Sequence, residues 1–440
     1  MDPKTVLAQP LTLNSGEVLP NRLAKAAMTE GLSDAHGNAS EGLARLYQRW
    51  ADGGLGLTIT GNVQVDAQHL ERPGNVIIAP SPGKEAMDGL RAWAKAARSR
   101  GAGFWMLLAH AGRQTPRIVN RHPKAPSAVA LELPGNEFGM PVAMNEEEIL
   151  HAIERHVSAA LVAREAGFSG VQLHAAHGYL LSQFLSPRAN VRTDAWGGSL
   201  ENRARLLLTI TRKTRAAVGK DFTIAVKLNS ADFQRGGFSA EDSLQVADWL
   251  TAEGIDLLEV SGGTYEQPRM MDADGLEKPD LNGLTPSTAA REGYFVQFAK
   301  AMEQRVRVPM MVTGGFRTAE AMARAVEGGA VSVIGLARPL CTDFEGPGRL
   351  LREGGALDRP ESRLRLGPGW LGPQSPFKLI KTANGFMVMS WYYQQLRAVA
   401  RSGELEPSLG VLAAFRRERA AQQQWLVDAR AAGTLTASIT

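Results

Sequence analysis

Eight apolar runs of strand length, separated by helical patterns, constrain the fold of this chain more than any other feature. They cover 22–28 (RLAKAAM), 56–65 (GLTITGNVQV), 104–112 (FWMLLAHAG), 170–176 (GVQLHAA), 222–229 (FTIAVKLN), 257–263 (LLEVSGG), 308–315 (VPMMVTGG) and 331–339 (VSVIGLARP). Most are apolar on successive residues rather than alternate ones, as expected of strands buried on both faces of a parallel sheet. Helical patterns at 41–54, 146–167, 201–219, 239–254 and 318–329 lie between them. Several of these start at Ser, Thr or Asn and stop at Gly, the usual cap signals. Eight such alternations predict an α/β fold, a (β/α)8 TIM barrel, with an N-terminal β-hairpin around Thr12–Val18 turning at Asn-Ser-Gly. The pattern alone also admits a doubly wound open sheet.

The barrel is expected to occupy 1–345. Beyond it, 346–440 reads as a C-terminal helical extension: a Gly/Pro-rich break at 367–376, then amphipathic helices at 385–401 and 408–433. These suit a face packed on the barrel or an oligomer interface, so a homo-oligomer stays open. Charge is mild, 49 Lys+Arg against 45 Asp+Glu, with no basic block, and no nucleic-acid partner is expected. The single cysteine, Cys341, rules out intrachain disulfides. No signal-like leader and no run of membrane-spanning length stand out. The expectation is a cytoplasmic protein with no membrane partner.

In a barrel, the C-terminal ends of the strands converge on one site, under the loops that follow them. Those ends carry Met28-Thr29, Asn62, Leu107 to His110, His174 with His177 and Tyr179, Lys227 with Asn229, Gly262-Gly263, Gly314-Gly315 and Arg338. Two connections, 113–144 and 264–288, are long enough to cover such a site. The Gly-Gly pair after strand seven and the arginine after strand eight suit phosphate, through backbone N–H groups and a guanidinium fork. Histidine is scarce, 8 in 440 residues, so the pair His174/His177 needs a reason. Two imidazoles three apart could ligate metal, yet no carboxylate or thiol lies immediately beside them, and no metal is expected. The other reading is a polar cluster in which imidazoles hold a substrate oxygen and tyrosine supplies a proton.

The stretch HAAHGYLLSQFLSPRANVRTDAWGGSLENR (174–203) resembles the signature segment of the Old Yellow Enzyme family, FMN-dependent NAD(P)H:flavin oxidoreductases. Shorter pieces agree in order: NRLAKAAMTEG (21–31), LLAHAGRQ (107–114), AVKLNSADF (225–233), VTGGF (312–316) and GLARPL (335–340). The resemblance spans roughly 5–345. It implies bound FMN, NADH or NADPH as hydride donor, and hydride transfer to the β-carbon of a small substrate with an activated C=C bond, such as an α,β-unsaturated carbonyl. His174 and His177 would then hold the substrate carbonyl, and Tyr179 would protonate the α-carbon. Ala26, Ala27, Met28 and Thr29 match the segment along the flavin ring. Lys227 matches a basic residue, usually Arg, beside the ring's pyrimidine edge. Gly314, Gly315, Ala337 and Arg338 match the phosphate cradle.

Two departures stand out. Leu107 replaces a glutamine that bonds the flavin pyrimidine edge, leaving Asn62 or a water to supply the contact. Gly31 replaces a pocket tyrosine found in one bacterial branch, which implies a roomier pocket. Two other functional classes stay open. A tRNA-dihydrouridine-synthase-like FMN enzyme would need a catalytic cysteine, for which Cys341 is poorly placed. A non-catalytic flavin-binding sensor would work through the C-terminal helices.

Overall fold

The computed structural model describes residues 1–133, 135–264, 266, 296–367, 369 and 375–435, apart from the side chains at 378, 379, 381 and 382. Eight parallel strands close on themselves: β1 (Leu23–Lys25), β2 (Leu57–Gln64), β3 (Gly103–Ala109), β4 (Gly170–Ala175), β5 (Thr223–Asn229), β6 (Leu257–Ser261), β7 (Met310–Thr313) and β8 (Val333–Leu336). Closure comes from β1, which pairs with β8 at Leu23↔Ile334 and with β2 at Ala24↔Leu57. The open-sheet alternative is thereby set aside.

Strand period sorts the side chains. Ala24, Ala26, Leu57, Ile59, Trp105, Leu107, Ala225, Leu257, Met311 and Val333 fill the barrel interior as one cluster. Their neighbours, such as Met106, Leu108, Val226, Leu258, Val260 and Val312, face the helices. Both faces are covered, which is why the sequence shows runs instead of alternation. The hairpin strands Leu11–Thr12 and Val18–Leu19 plug the lower end with Leu13 and Leu19. Glu17 of the same hairpin accepts hydrogen bonds from Trp105 Nε1 (2.9 Å) and Thr223 Oγ1 (2.6 Å).

The outer helices are α1 (Glu41–Asp52), α2 (Lys84–Ala97), α3 (Glu146–Glu165), α4 (Leu200–Val218), α5 (Ala240–Ala252), α6 (Val296–Met302) and α7 (Ala319–Glu327). Five of them begin within a residue of their predicted starts, and the other two, α2 and α6, are not among the predicted patterns. Ser40, Ser199, Ser239 and Thr318 cap α1, α4, α5 and α7, and Asn145 forms a capping box with Glu148 at α3. Strand ends are shorter than the apolar runs. β1 stops at Lys25, and the backbone of 27–29 leaves the ladder to line the barrel mouth.

After α8 (Gly346–Glu353), the extension forms α9 (Lys378–Ser402) and α10 (Val411–Ala431). α9 begins seven residues before the predicted 385, because nothing after Pro376 interrupts a helix. It lies against α1, with Ala400 at the close approach that Gly42 allows. Trp391, Tyr392, Leu396 and Val399 join the barrel's outer core. Trp425 of α10 donates to Asp34 O (2.8 Å), tying the second helix to the loop after β1. No described helix is long and apolar enough to cross a membrane. The long connection predicted at 264–288 lies outside the described residues except for Thr264 and Glu266.

Candidate active site

β4 points Gln172 and His174 into the barrel while Leu173 and Ala175 pack outward. Three residues on, the chain turns sharply. His177 has φ +61°, a left-handed conformation that is strained for a residue with a Cβ. Both of its backbone groups are held: its N–H donates to Asn229 Oδ1 (3.1 Å) and its C=O accepts from Gln114 Nε2 (3.0 Å). The turn brings the His177 ring to 5.1 Å and the Tyr179 ring to 4.7 Å from the His174 ring, both edge-on. The three predicted side chains form one cluster.

Their protonation follows from the contacts. His174 Nδ1 accepts the Ala176 N–H (3.3 Å), so its proton sits on Nε2. Burial, then the charges of His177 and Lys227, hold the His174 pKa well below the usual imidazole range. Burial and then Lys227 lower that of His177 to about 3. Both rings are neutral at neutral pH. His177 Nε2 lies 2.7 Å from Ser261 Oγ on β6. The Tyr179 hydroxyl accepts from Asn62 Nδ2 (3.3 Å), so the Asn62 amide expected to serve the flavin edge in place of Leu107 is turned to the phenol.

Other predicted residues surround this cluster. Ala26 and Leu107 face inward at the top of the barrel interior. Gly61 lets the 27–29 segment close in, since a Cβ there would strike Met28 O, Thr29 Cα and Glu30 Oε2. Thr29 Oγ1 donates to Glu71 (3.1 Å). Lys227, expected beside the flavin pyrimidine edge, is buried and paired with Glu259 at 3.0 Å. Gly314 and Gly315 have φ of +124° and +78° just past β7, and Ala337-Arg338 follow β8 alongside. Arg338 has no carboxylate partner among the described residues.

Sequence reasoning missed Glu259, Ser261, Gln172 and the buried Lys25. Lys25 bonds Ile59 O (2.7 Å) and Tyr47 OH (3.2 Å), pairs with Glu30 at 3.5 Å, and so pins the segment at the mouth. Burial lowers its pKa to about 8, against the pull of Glu30. A charged residue inside an otherwise apolar strand run was the available signal for both Lys25 and Glu259.

One expectation changes. The space at Gly31 is not open. A Cβ there would sit 3.5 Å from Arg397 Nη2 of α9 and 3.7 Å from Arg72 Nε, and φ is +67°. Arg397 of the extension, with Pro73 O at 3.4 Å, borders the position from which a side chain at 31 would leave the backbone. Glu418 of α10 holds both guanidinium groups, at 2.9 Å (Arg72) and 3.0 Å (Arg397), and Arg72 stacks over Tyr393. A metal-ligand composition not singled out in the sequence occurs at Asp66, His69 and His110. There His69 Nε2 accepts the Lys124 N–H (2.8 Å) and His110 Nδ1 accepts the Gly112 N–H (3.1 Å). Each ring's remaining nitrogen therefore carries its proton and offers no lone pair to a cation.

The model of the NADH:flavin oxidoreductase / NADH oxidase family matches residues 6–352, well over half of the sequence. The chain belongs to this family. Members are FMN-dependent oxidoreductases, and this flavin oxidoreductase uses FMN with NADH or NADPH as hydride donor. The NADH-dependent flavin oxidoreductase iliE of Neonectria sp. (strain DH2) is 37% identical over 75% of the chain, which spans only 45% of that longer relative. The NADH-dependent flavin oxidoreductase iccE of Talaromyces variabilis is 32% identical over 90% of the chain and 99% of its own length. That match reaches into the C-terminal helices of this flavin oxidoreductase. The old yellow enzyme homologue from Zymomonas mobilis shares the fold, with TM-score 0.66 and 24% identity over 82% of this chain and 97% of its own.

Proposed function

We propose that this flavin oxidoreductase is an ene-reductase, using NAD(P)H to saturate the activated C=C bond of a small α,β-unsaturated carbonyl compound. The observation that carries the reading is a neutral imidazole pair and a buried phenol converging at the mouth of the barrel. When bound, FMN supplies the hydride chemistry, taking hydride from the nicotinamide and giving it to the substrate β-carbon. His174, with its Nε2–H, and His177 hold the carbonyl oxygen and stabilise the charge that develops on it. Tyr179 gives a proton to the α-carbon, and the Asn62 amide on its oxygen eases that loss.

The residues fit the cofactor. Gly314, Gly315, Ala337 and an Arg338 without a carboxylate partner among the described residues suit the phosphate. Ala26, Ala27, Met28 and Thr29 offer an edge for the ring above Leu107, with Lys227 beside it. The dihydrouridine-synthase alternative loses support at Cys341, whose thiol is buried and pushed up to about 12 by that burial.

The test separates the two half-reactions by stopped flow. Replacing His174 and His177 together by Ala should slow enone reduction by about 10²-fold or more, while flavin reduction by NADH changes far less. Tyr179→Phe should lose enone reduction and keep quinone reduction, since quinones take their proton from water. Enone reduction at the parent rate in the double variant would overturn the assignment.

A further inference from the structure

Glu259 is fully buried at the level of the histidine cluster, with three donors around one carboxylate. Lys227 Nζ (3.0 Å) and Thr313 Oγ1 (2.7 Å) meet Oε1, and Gln172 Nε2 (2.8 Å) meets Oε2. The donors come from β5, β7 and β4, and register sets Lys227 directly across from both Glu259 and His174. Among the described residues Glu259 is the carboxylate that Lys227 pairs with. This degree of satisfaction keeps a buried anion in place, where a half-satisfied one would be costly.

We infer that Glu259 is a positioning residue that offsets the Lys227 cation and thereby lowers the reduction potential of the flavin bound above the pair. The inference rests on the proposed placement of Lys227 beside the flavin ring. Hydride from NAD(P)H carries two electrons and one proton into the oxidised ring, leaves NAD(P)⁺, and adds one net negative charge to the flavin. A bare cation would attract that charge. A cation 3.0 Å from a carboxylate presents only a dipole, and the carboxylate itself repels the added charge. Glu259 thus keeps the reduced flavin a stronger reductant than Lys227 alone would allow.

The test uses holoenzyme, with spectroelectrochemical midpoint potentials and sulfite titration, since the sulfite adduct also leaves negative charge on the ring. Glu259→Gln, close to isosteric, should favour reduction at least tenfold, a positive shift of about 30 mV for a two-electron couple, and tighten sulfite binding by a similar factor. Lys227→Met should shift both readouts the opposite way, and the double variant should return close to the parent. If Lys227→Met lowers the potential while Glu259→Gln leaves it unchanged, the role of Glu259 falls and the placement of Lys227 stands. If neither variant moves either readout, Lys227 does not lie beside the ring and the placement itself fails. Should Glu259→Gln not load FMN, Glu259→Asp draws the carboxylate back from Lys227 and should shift the potential positive by a smaller amount; an unchanged potential there overturns the inference.

Discussion

Leu107→Gln tests the departure that most separates this chain from the family pattern. Leu107 is buried inside the barrel with Ala26, Ile59 and Trp105, so a glutamine amide placed there must find partners in a dry interior. One is ready. Across the β3–β4 ladder Leu107 pairs with Gln172, whose Oε1 is buried without a hydrogen-bond partner. Supplying that bond nets about 0.5–1.5 kcal/mol and relieves an unmet acceptor worth about 1–3 kcal/mol. Burying a leucine side chain contributes about 1.5–3 kcal/mol, part of which the shorter apolar stem of glutamine gives up. The two effects are of similar size, so the apoprotein should change in stability by no more than about 1 kcal/mol. The flavin pyrimidine edge then gains a partner, and FMN affinity should rise up to roughly tenfold, about 1.4 kcal/mol. Asn62 is committed to Tyr179, so the coupling should run through Gln172. In a Gln172→Leu background the gain in FMN affinity should differ by at least about 0.5 kcal/mol. Fluorescence titration of the four apoproteins with FMN, together with their thermal unfolding, decides it. Unchanged FMN affinity in both backgrounds would refute the placement of Leu107 beneath the ring.

Acid should destabilise the fold through buried neutral histidines. His156 donates from Nδ1 to Ala152 O (2.7 Å), and burial lowers its pKa from 6.5 to about 4. The unfolded chain therefore binds the extra proton first, and stability falls as pH drops from about 6.5 toward 4. Between pH 7 and pH 5 that single group accounts for about 2 kcal/mol, so His156→Leu should flatten the urea-unfolding pH slope by that amount; an unaltered slope would contradict it. Glu418→Gln leaves Arg72 and Arg397 without their shared carboxylate and should cost about 3 kcal/mol in denaturant unfolding. A loss below about 1 kcal/mol would show that the clamp contributes little. Gly31→Tyr, restoring the tyrosine of the bacterial branch, should destabilise by at least about 1–2 kcal/mol from its left-handed backbone alone. Its side chain must also displace Arg72 or Arg397, so a fully stable variant would mean that α9 yields easily.

The eight apolar runs, the helix caps and the His-x-x-His-x-Tyr spacing were legible in the chain because they rest on local patterns. Strand period and cap chemistry each depend on residues a few positions apart, whereas the left-handed turn at His177 is held by Asn229 and Gln114 from other elements. The partners of those residues were not legible. The partner of Lys227 stayed hidden because Glu259 lies 32 positions away, and Thr313, on the same carboxylate, lies farther still. Only the closed barrel brings Lys227 across from Glu259 and turns Gln172 and Thr313 inward onto the same carboxylate. Gly31 read as open space because Arg397 reaches it from a helix more than 360 residues later, held there by the Glu418 clamp. Asn62 read as a stand-in for the flavin-edge contact that Leu107 cannot make, yet its amide finds Tyr179 across the barrel mouth. Side-chain type and spacing state what chemistry a residue can offer. Which neighbour receives it depends on barrel closure and helix packing, which join segments that no local pattern connects.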